Sequence, residues 1–502
     1  MKAWTVKRLK QLAALVLVSL LTLLVVRACD SQRGPPLESW HTYAPRELTG
    51  SQLRDADWQA FMAAEEAIFE EVREKVTGRL DPAARVLANR YFDGSPMYPG
   101  NFATDWNRSF ILEPDGEPVG AAVFLHGLTD SPYSARHLAE TYRELGFLAV
   151  TIRLPGHGTV PGGLADIHWD DWSEATRLAV REARRRTAPA APLHIVGYSN
   201  GGALAMKYAL DALEDADLAR PDQLVLISPM IGVTSFARFA GVFGWPAVVP
   251  RFAKAAWLGI MPEFNPFKYN SFPINGARQS SLMTRTLQPR IARYARDGRL
   301  GELPPILTFQ SVVDATVSTQ AVASGLYARL PERGHELVLF DVNRSAAFGP
   351  MFRSEGSPMP QGLLPEPPRG FRSTIITNAA PETTRMSERV VEAGTATERT
   401  RTLDLSYPPG VFSLSHIALP FPVSDSLYGL QPEPVNEFGI GLGAIAPRGE
   451  RGALIVSMDA LTRISSNPFF PYMLERIEET IGRGTVPAPG NPSVVGSLMP
   501  DE

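Results

Sequence analysis

The run Gly197-Tyr198-Ser199-Asn200-Gly201 carries the sharpest chemical signal in the chain. It follows a short apolar stretch, Leu193–Val196, and opens a helical one. That is the setting of a strand-to-helix turn that exposes a serine hydroxyl. Flanking glycines tolerate the strained backbone such a turn requires. A helix start adds unpaired N–H groups and the positive end of a dipole. Ser199 is therefore the expected nucleophile. A serine needs a base to take its proton, an acid to orient that base, and donors for the oxyanion. His126-Gly127 ends an earlier apolar run, and the glycine lets the chain turn tightly over the site. The backbone N–H groups of Leu128 and Asn200 are the expected oxyanion donors, with His126 itself structural.

Acid and base are expected downstream, in the order serine, acid, histidine. Asp314 follows the apolar run Ile306–Gln310 in Ser311-Val312-Val313-Asp314. A carboxylate at the C-terminal end of a parallel strand faces the site edge; the alternative is a turn or helix-capping aspartate. Of the eight histidines, His335 and His416 lie beyond it. His335 precedes the apolar run Glu336–Val342, the wrong end of a strand for catalysis. His416, in Ser413-Leu414-Ser415-His416, is the expected base; otherwise it is a surface-loop histidine.

These residues need a scaffold. Short apolar runs at Val119–Leu125, Phe147–Ile152, Leu193–Val196, Leu224–Ile227, Ile306–Gln310 and Glu336–Val342 alternate with helical patterns at Ala135–Leu145, Trp172–Arg186, Gly202–Leu213 and near 318–330. Such alternation predicts an α/β protein with a mostly parallel sheet. Residues 51–90 show helical spacing, and Tyr472–Ile481 reads as a closing helix. Residues 229–303 interrupt the alternation with many aromatics, among them Phe236, Phe239, Phe243, Trp245, Trp257, Phe267 and Phe272. They suit an acyl pocket or a lipid contact as well as plain packing. Residues 343–412 are rich in Pro, Ser and Thr, and read as an insertion of loops and short strands.

The N-terminus has the pattern of an export or anchor segment. Lys2, Lys7, Arg8 and Lys10 precede an apolar run from Leu12 to Val26. Its length fits a signal-peptide core better than a full span. Cys29, the single cysteine, sits behind Ala28 as in a bacterial lipobox, although Arg27 departs from that pattern. Lipidation, an uncleaved anchor and simple cleavage stay open. Each puts the bulk of the chain at or across a membrane, with the basic leader inside.

Composition excludes several classes. The chain has 502 residues, 44% hydrophobic and 20% charged, which permits a sizeable core. A net charge of −4 offers no basic field for nucleic acid. One cysteine makes neither a disulfide nor a zinc cluster. No dinucleotide fingerprint, P-loop or HExxH is present, so no cofactor is expected. His168, Asp170 and Asp171 read as an acidic helix start rather than a metal site, and Gly156-His157-Gly158 as a tight turn.

In order, His126-Gly127-Leu128-Thr129-Asp130-Ser131-Pro132-Tyr133, Leu154-Pro155-Gly156-His157-Gly158, Trp169-Asp170-Asp171-Trp172 and the serine pentapeptide resemble the α/β-hydrolase superfamily. They are similar to its bacterial carboxylesterase and monoacylglycerol-lipase branch, grouped with serine aminopeptidase-like hydrolases. The match covers roughly residues 117–342 and the region around His416. The resemblance implies Ser199 as nucleophile, Asp314 as acid, His416 as base, Leu128 and Asn200 as oxyanion donors, and a lid at 229–303. In such relatives the histidine follows the last core strand closely. Here Asp341-Val342-Asn343-Arg344 holds none, so either the insertion loops out and returns or the site is degenerate; the first is expected, because a long surface insertion has only a modest entropic cost.

The expected organisation is a signal peptide or anchor (1–28), a linker and helical segment (29–100), a hydrolase core (101–345), an insertion (346–412), the rest of the core (413–485) and a tail (486–502). The expected activity is hydrolysis of a small-molecule or lipid ester, lipophilic or acylglycerol-type, without cofactor or metal. The competitors are an amide or peptide hydrolase and a non-catalytic hydrolase-fold scaffold in the cell envelope.

Overall fold

The computed structural model describes residues 2–232, 244–314, 316–345, 362–443 and 463–485. The expected aromatics Phe236, Phe239 and Phe243, much of the insertion before residue 362, and the tail from 486 lie outside these. Strands are β1 (Phe110–Leu112), β2 (Gly120–Leu125), β3 (Phe147–Ile152), β4 (Leu193–Tyr198), β5 (Gln223–Ile227), β6 (Trp257–Gly259), β7 (Phe272–Pro273), β8 (Ile306–Ser311), β9 (Glu336–Phe340), β10 (Arg372–Asn378), β11 (Arg385–Val391), β12 (Glu398–Ser406), β13 (Ser413–Leu414) and β14 (Arg463–Ile464). Helices are α1 (Lys2–Ser31), α2 (Ser39–Thr42), α3 (Ser51–Asp55), α4 (Trp58–Lys75), α5 (Arg136–Glu144), α6 (Trp169–Arg185), α7 (Asn200–Asp211), α8 (Ile274–Arg296), α9 (Thr319–Gly325) and α10 (Phe470–Thr485).

One sheet organises the molecule, in the order β1-β3-β2-β4-β5-β8-β9-β10-β11-β12. Within this order the strands β3, β2, β4, β5, β8, β9 and β10 run parallel, and β1, β11 and β12 pair antiparallel at the two sides. The inner strands are buried on both faces, which explains their unbroken apolar runs. Alternate residues of β2 serve two cores. Ala121, Val123 and Leu125 join Trp172, Leu204 and Leu287 of α6, α7 and α8. Ala122 and Phe124 join Leu138 and Tyr142 of α5, with Phe470, Met473 and Ile477 of α10. Fully burying one such aliphatic or aromatic side chain contributes about 1.5–3 kcal/mol. Strand order reverses direction between β2 and β4, whose ends lie side by side with Leu125 opposite Gly197. That switch point is where a parallel sheet opens a crevice.

Two segments differ from expectation. The apolar leader is not confined to 15 residues: α1 is a single helix of 30 residues, long and apolar enough from Val6 to Ser31 to cross a membrane. The described residues of 343–412 hold loops and strands as expected, but the strands are not set apart from the core. Strands β10, β11 and β12 continue the central sheet beyond β9, with Ile376, Met386 and Leu403 turned into the core under α10. Their polar appearance has a physical cause. Polar residues such as Arg372, Arg385 and Glu388 interrupt the apolar ones in β10 and β11, and the edge strand β12 carries Glu398, Arg399 and Arg401, charges that blunt an edge against further pairing. The chain leaves the core after Asp341 and returns at 411–412, where Asn343 closes the gap. Its N–H donates to the Phe412 carbonyl at 2.7 Å and its side chain to the Val411 carbonyl at 2.9 Å.

The N-terminal segment is bound to the sheet by a buried charge cluster. Arg153, just past β3, donates to Glu65 of α4 at 2.9 Å and to both oxygens of Glu47 at 2.8 and 2.9 Å. Burial pushes the Glu65 carboxyl up, and the Arg153 charge opposes it.

Candidate active site

Strand β4 runs directly into α7, and the joint is Ser199, at φ 53° and ψ −112°. A non-glycine residue there is strained, and the surroundings hold it. The Ser199 N–H donates to the Ile227 carbonyl at 2.9 Å, and its carbonyl accepts from Met230 at 3.0 Å. The flanking glycines are required by space. A Cβ on Gly197 would stand 2.4 Å from the Gly201 carbonyl oxygen, and one on Gly201 only 2.0 Å from that of Leu125. The helix thus starts close against the end of β2, bringing Gly127 and Leu128 beside Ser199. Gly127, Leu128 and Ser199 line one cavity with Asn270, Phe272 and His416.

The three residues expected as a triad meet. His416 Nε2 lies 2.9 Å from Ser199 Oγ, and His416 Nδ1 lies 2.7 Å from Asp314 Oδ2. Asp314 sits in the turn after β8, as its position at the strand's C-terminal end predicts. Its Oδ1 accepts from the N–H groups of Thr316 and Val317 at 2.8 and 3.0 Å, and its Oδ2 also accepts from Gln310 Nε2 at 3.2 Å. Burial pushes this carboxyl up, but the adjacent His416 and the turn N–H groups outweigh burial and hold it below its ordinary value. His416 follows β13, four residues after the chain returns to the core. The 102 positions separating it from Asp314 are spanned by the sheet extension.

The other histidines are placed differently. His126 Nδ1 lies 2.9 Å from the Gly127 carbonyl, and its Nε2 accepts from the Leu154 N–H at 3.0 Å. This fixes a neutral tautomer, and burial drives the group well down. His157, against it, is lowered by burial to about 3. His335 accepts from the Ile306 N–H at 3.2 Å at the far end of the sheet, and burial lowers it to about 4. His168 and Asp171 cap α6.

Asn200 is the first residue of α7, a position whose N–H has no intrahelical acceptor. Its side chain is occupied elsewhere, with Oδ1 accepting from Ser280 Oγ at 2.6 Å. Thr129, next to Leu128, has φ 62°, so the loop that carries the expected oxyanion donor turns sharply. The cavity before Ser199 holds about 380 Å³ and is mostly apolar, with Leu128, Met230, Tyr269, Phe272, Ala277 and Ile417 in its wall. The aromatics of 229–303 divide. Phe267 stacks on Tyr133 at 4.2 Å in a separate cluster, Trp257 packs edge-on to His41, and Phe272 faces the cavity.

Two positioning residues were not read from the sequence. The Tyr198 ring stacks along the His416 imidazole, 5.6 Å between centroids. Asp425, fully buried, accepts from Tyr133 at 2.9 Å, Arg136 at 3.1 Å and His137 at 2.8 Å, and so binds the segment after His416 to the loop after Leu128. Burial pushes its carboxyl up, but His137 and Arg136 prevail and hold it low. Tyr198 was visible only as the variable residue of the pentapeptide. Asp425 has no local signal, because its partners are almost 300 positions away.

A serine at a strand-to-helix turn, at the switch point of a mostly parallel sheet covered by helices on both faces, defines an α/β-hydrolase fold. Residues 116–330 match the family described as "Serine aminopeptidase, S33". A thermostable monoacylglycerol lipase of Bacillus sp. (strain H-257) is 32% identical over 92 residues, which are 18% of this chain and 35% of the relative. The chain thus matches about a third of the length of that curated relative. Solved structures that align include a metagenome-derived lipolytic enzyme of the LipS and LipT study (22% identity, 47% of this chain and 87% of that one, TM-score 0.37). Another is a Paleococcus ferrophilus monoacylglycerol lipase (16% identity, 47% and 89%, TM-score 0.35). The chain has the α/β-hydrolase fold, and residues 116–330 are similar to the serine aminopeptidase S33 family.

Proposed function

We propose that the protein is a serine hydrolase of lipophilic carboxylic esters. The observation that carries this is the unbroken relay Ser199–His416–Asp314 at the floor of a mostly apolar cavity. His416 Nε2 takes the Ser199 proton as Oγ attacks the ester carbonyl. Asp314 keeps the Nδ1–H tautomer and stabilises the imidazolium. The N–H groups of Leu128 and Asn200 receive the oxyanion, where losing one donor typically costs about 10²–10³ in rate. His416 then returns the proton to the departing alcohol, and water, activated by the same imidazole, releases the acid. An aminopeptidase must hold a free ammonium group. Among the described residues lining the cavity there is no carboxylate, and the charged one is Lys268, which favours ester over peptide. The N-terminal helix is read as a membrane anchor, with the catalytic body on the side away from the basic leader.

The test is labelling of the full-length protein with a fluorophosphonate, beside Ser199→Ala and His416→Ala, with turnover of a p-nitrophenyl ester in parallel. Labelling and turnover in the wild type, both lost in each variant, are expected. A folded wild type that neither labels nor turns over would return the protein to the scaffold reading.

A further inference from the structure

The last three turns of α1 do not stand free. Leu20, Leu24, Arg27, Ala28 and Ser31 recur on one face, and this stripe is partly withdrawn from solvent, half-buried at Leu20, Leu24 and Arg27 and buried at Ala28 and Ser31. It packs on residues 245–248 and 250–256. The Arg27 guanidinium donates to the Trp257 carbonyl, and Lys254 Nζ to the Gly34 carbonyl at 3.2 Å. A leader destined for removal has no need of such a seat, and the contact favours an uncleaved helix.

The contact also sets a depth. The apolar run Leu12–Val26 centres near Ser19. At 1.5 Å per residue, half of a hydrocarbon layer of about 30 Å takes roughly ten residues on either side of that centre. Leu20 through Ala28 therefore lie within the layer, and whatever packs on them lies at the same level. The segment seated there begins with Gly244-Trp245-Pro246-Ala247-Val248-Val249-Pro250, which carries no charge; Arg251 and Lys254 follow, Arg251 exposed and Lys254 turned to the Gly34 carbonyl. Its apolar side chains point outward: Trp245 is 58% exposed, Val248 86% and Val249 51%. Large apolar groups left so open in one short segment mark an interaction site. Leu258 and Met261 extend the exposed set.

We propose that the exposed apolar side chains of 245–249, with Leu258 and Met261, form a shelf embedded in the outer leaflet beside α1, with Arg251 and Lys254 at the headgroups, and that this shelf holds the mouth of the Ser199 cavity at the lipid. The occupant of this surface is the bilayer itself, because the neighbour with which the surface is continuous is the membrane span. The shelf also connects to the cavity wall. Strand β6 pairs antiparallel with β7, whose Phe272 lines the cavity, and α8 follows at once with Ala277, Ser280 and Ser281 in the same wall. A lipophilic ester then passes from the leaflet to Ser199 along one continuous element, without crossing water. The inference rests on the reading of α1 as a span and of the cavity as an ester site.

The test uses the full chain with Cys29→Ser, carrying a single environment-sensitive dye on Leu17→Cys, Val248→Cys or Ala396→Cys, in phosphatidylcholine–phosphatidylglycerol vesicles containing doxyl-labelled lipid. Quenching at 17 and 248 and none at 396 is expected. Quenching at 17 without quenching at 248 overturns the shelf, and a blue-shifted but unquenched dye at 248 does so in favour of a protein partner. No quenching at 17 removes the span, and the shelf with it. In parallel, the triple variant Trp245→Glu, Val248→Glu, Val249→Glu should hydrolyse a vesicle-borne monoacyl ester about tenfold more slowly and a soluble short-chain ester at the wild-type rate. Equal rates on the vesicle ester overturn the lipid route. If the wild type cleaves neither ester, the enzymatic reading fails while the dye still decides the shelf.

Discussion

Replacing Asp314 with asparagine tests the relay at the link where the geometry is most constraining. The two oxygens of Asp314 have fixed partners: Oδ1 takes the Thr316 and Val317 N–H groups, and Oδ2 takes His416 Nδ1 and Gln310 Nε2. An amide that keeps its oxygen on the turn points its NH₂ at His416 Nδ1. The imidazole must then carry its proton on Nε2, facing Ser199, and cannot accept from the hydroxyl. Turning the amide over gives up two backbone hydrogen bonds, at about 1 kcal/mol each net. Only a few per cent of molecules would then hold the productive tautomer, since 1.4 kcal/mol is a factor of ten. Those molecules also lack the carboxylate charge that stabilises the imidazolium. The expected loss in kcat is about 10⁴, the size seen when such an aspartate becomes an amide, or about 5.5 kcal/mol of barrier. Turnover of a soluble ester measures it, with circular dichroism to show an intact fold. Acid unfolding gives a second reading. A carboxyl held below its ordinary 3.8 leaves the unfolded chain binding more protons in acid, so its stabilisation is present above about pH 4 and fades as pH falls through the lowered value. The variant should lack that part of the acid limb. An Asp314→Asn enzyme within tenfold of wild type would show that Asp314 does not orient the base.

Three further outcomes are expected. Gly201→Ala forces a Cβ to within 2.0 Å of the Leu125 carbonyl oxygen, so the end of β2 and the Leu128 loop behind it must move; stability should fall by about 1–3 kcal/mol and turnover by about 10², and a variant unchanged in both melt and rate would contradict the packing. Arg153→Met leaves Glu47 and Glu65 buried without their cation, and should destabilise by about 3–5 kcal/mol. Glu65, already raised by burial, rises further, so the folded state keeps a proton the unfolded chain has lost, and urea unfolding should show a larger deficit at pH 8 than at pH 5. Ala277→Phe fills part of the cavity and should lower kcat/KM for long-chain esters more than for acetate or butyrate esters, read from a chain-length series.

The inner strands and the nucleophile turn were legible because both are local. A strand buried on two faces must be apolar throughout, and a serine turn pressed against β2 must be flanked by glycine. Asp314 and His416 were legible by elimination along the chain, from strand ends and the order of residue types. Strands β10 to β12 were read only as loops and short strands of an insertion, because polar residues such as Arg372, Arg385, Glu388 and Arg401 hide the few apolar ones that face the core. Asp425 was hidden for another reason: its role exists only after residues almost 300 apart have met. The length of α1 exceeded its apolar run because helices continue through polar residues such as Arg27 when these find partners, here the Trp257 carbonyl.

The detour between β9 and His416 also has a consequence in time. The base lies 217 residues after the nucleophile, and at the usual pace of synthesis, about 5–20 residues per second, Ser199 is made roughly 10–40 seconds before its partner. During that interval the chain holds a serine turn without a base. The sheet must grow outward through β12 and fold back at Asn343 before the imidazole arrives. In the proposed relay, competence thus waits on the segment that follows the sheet extension, and a protein interrupted within the extension lacks the proposed base.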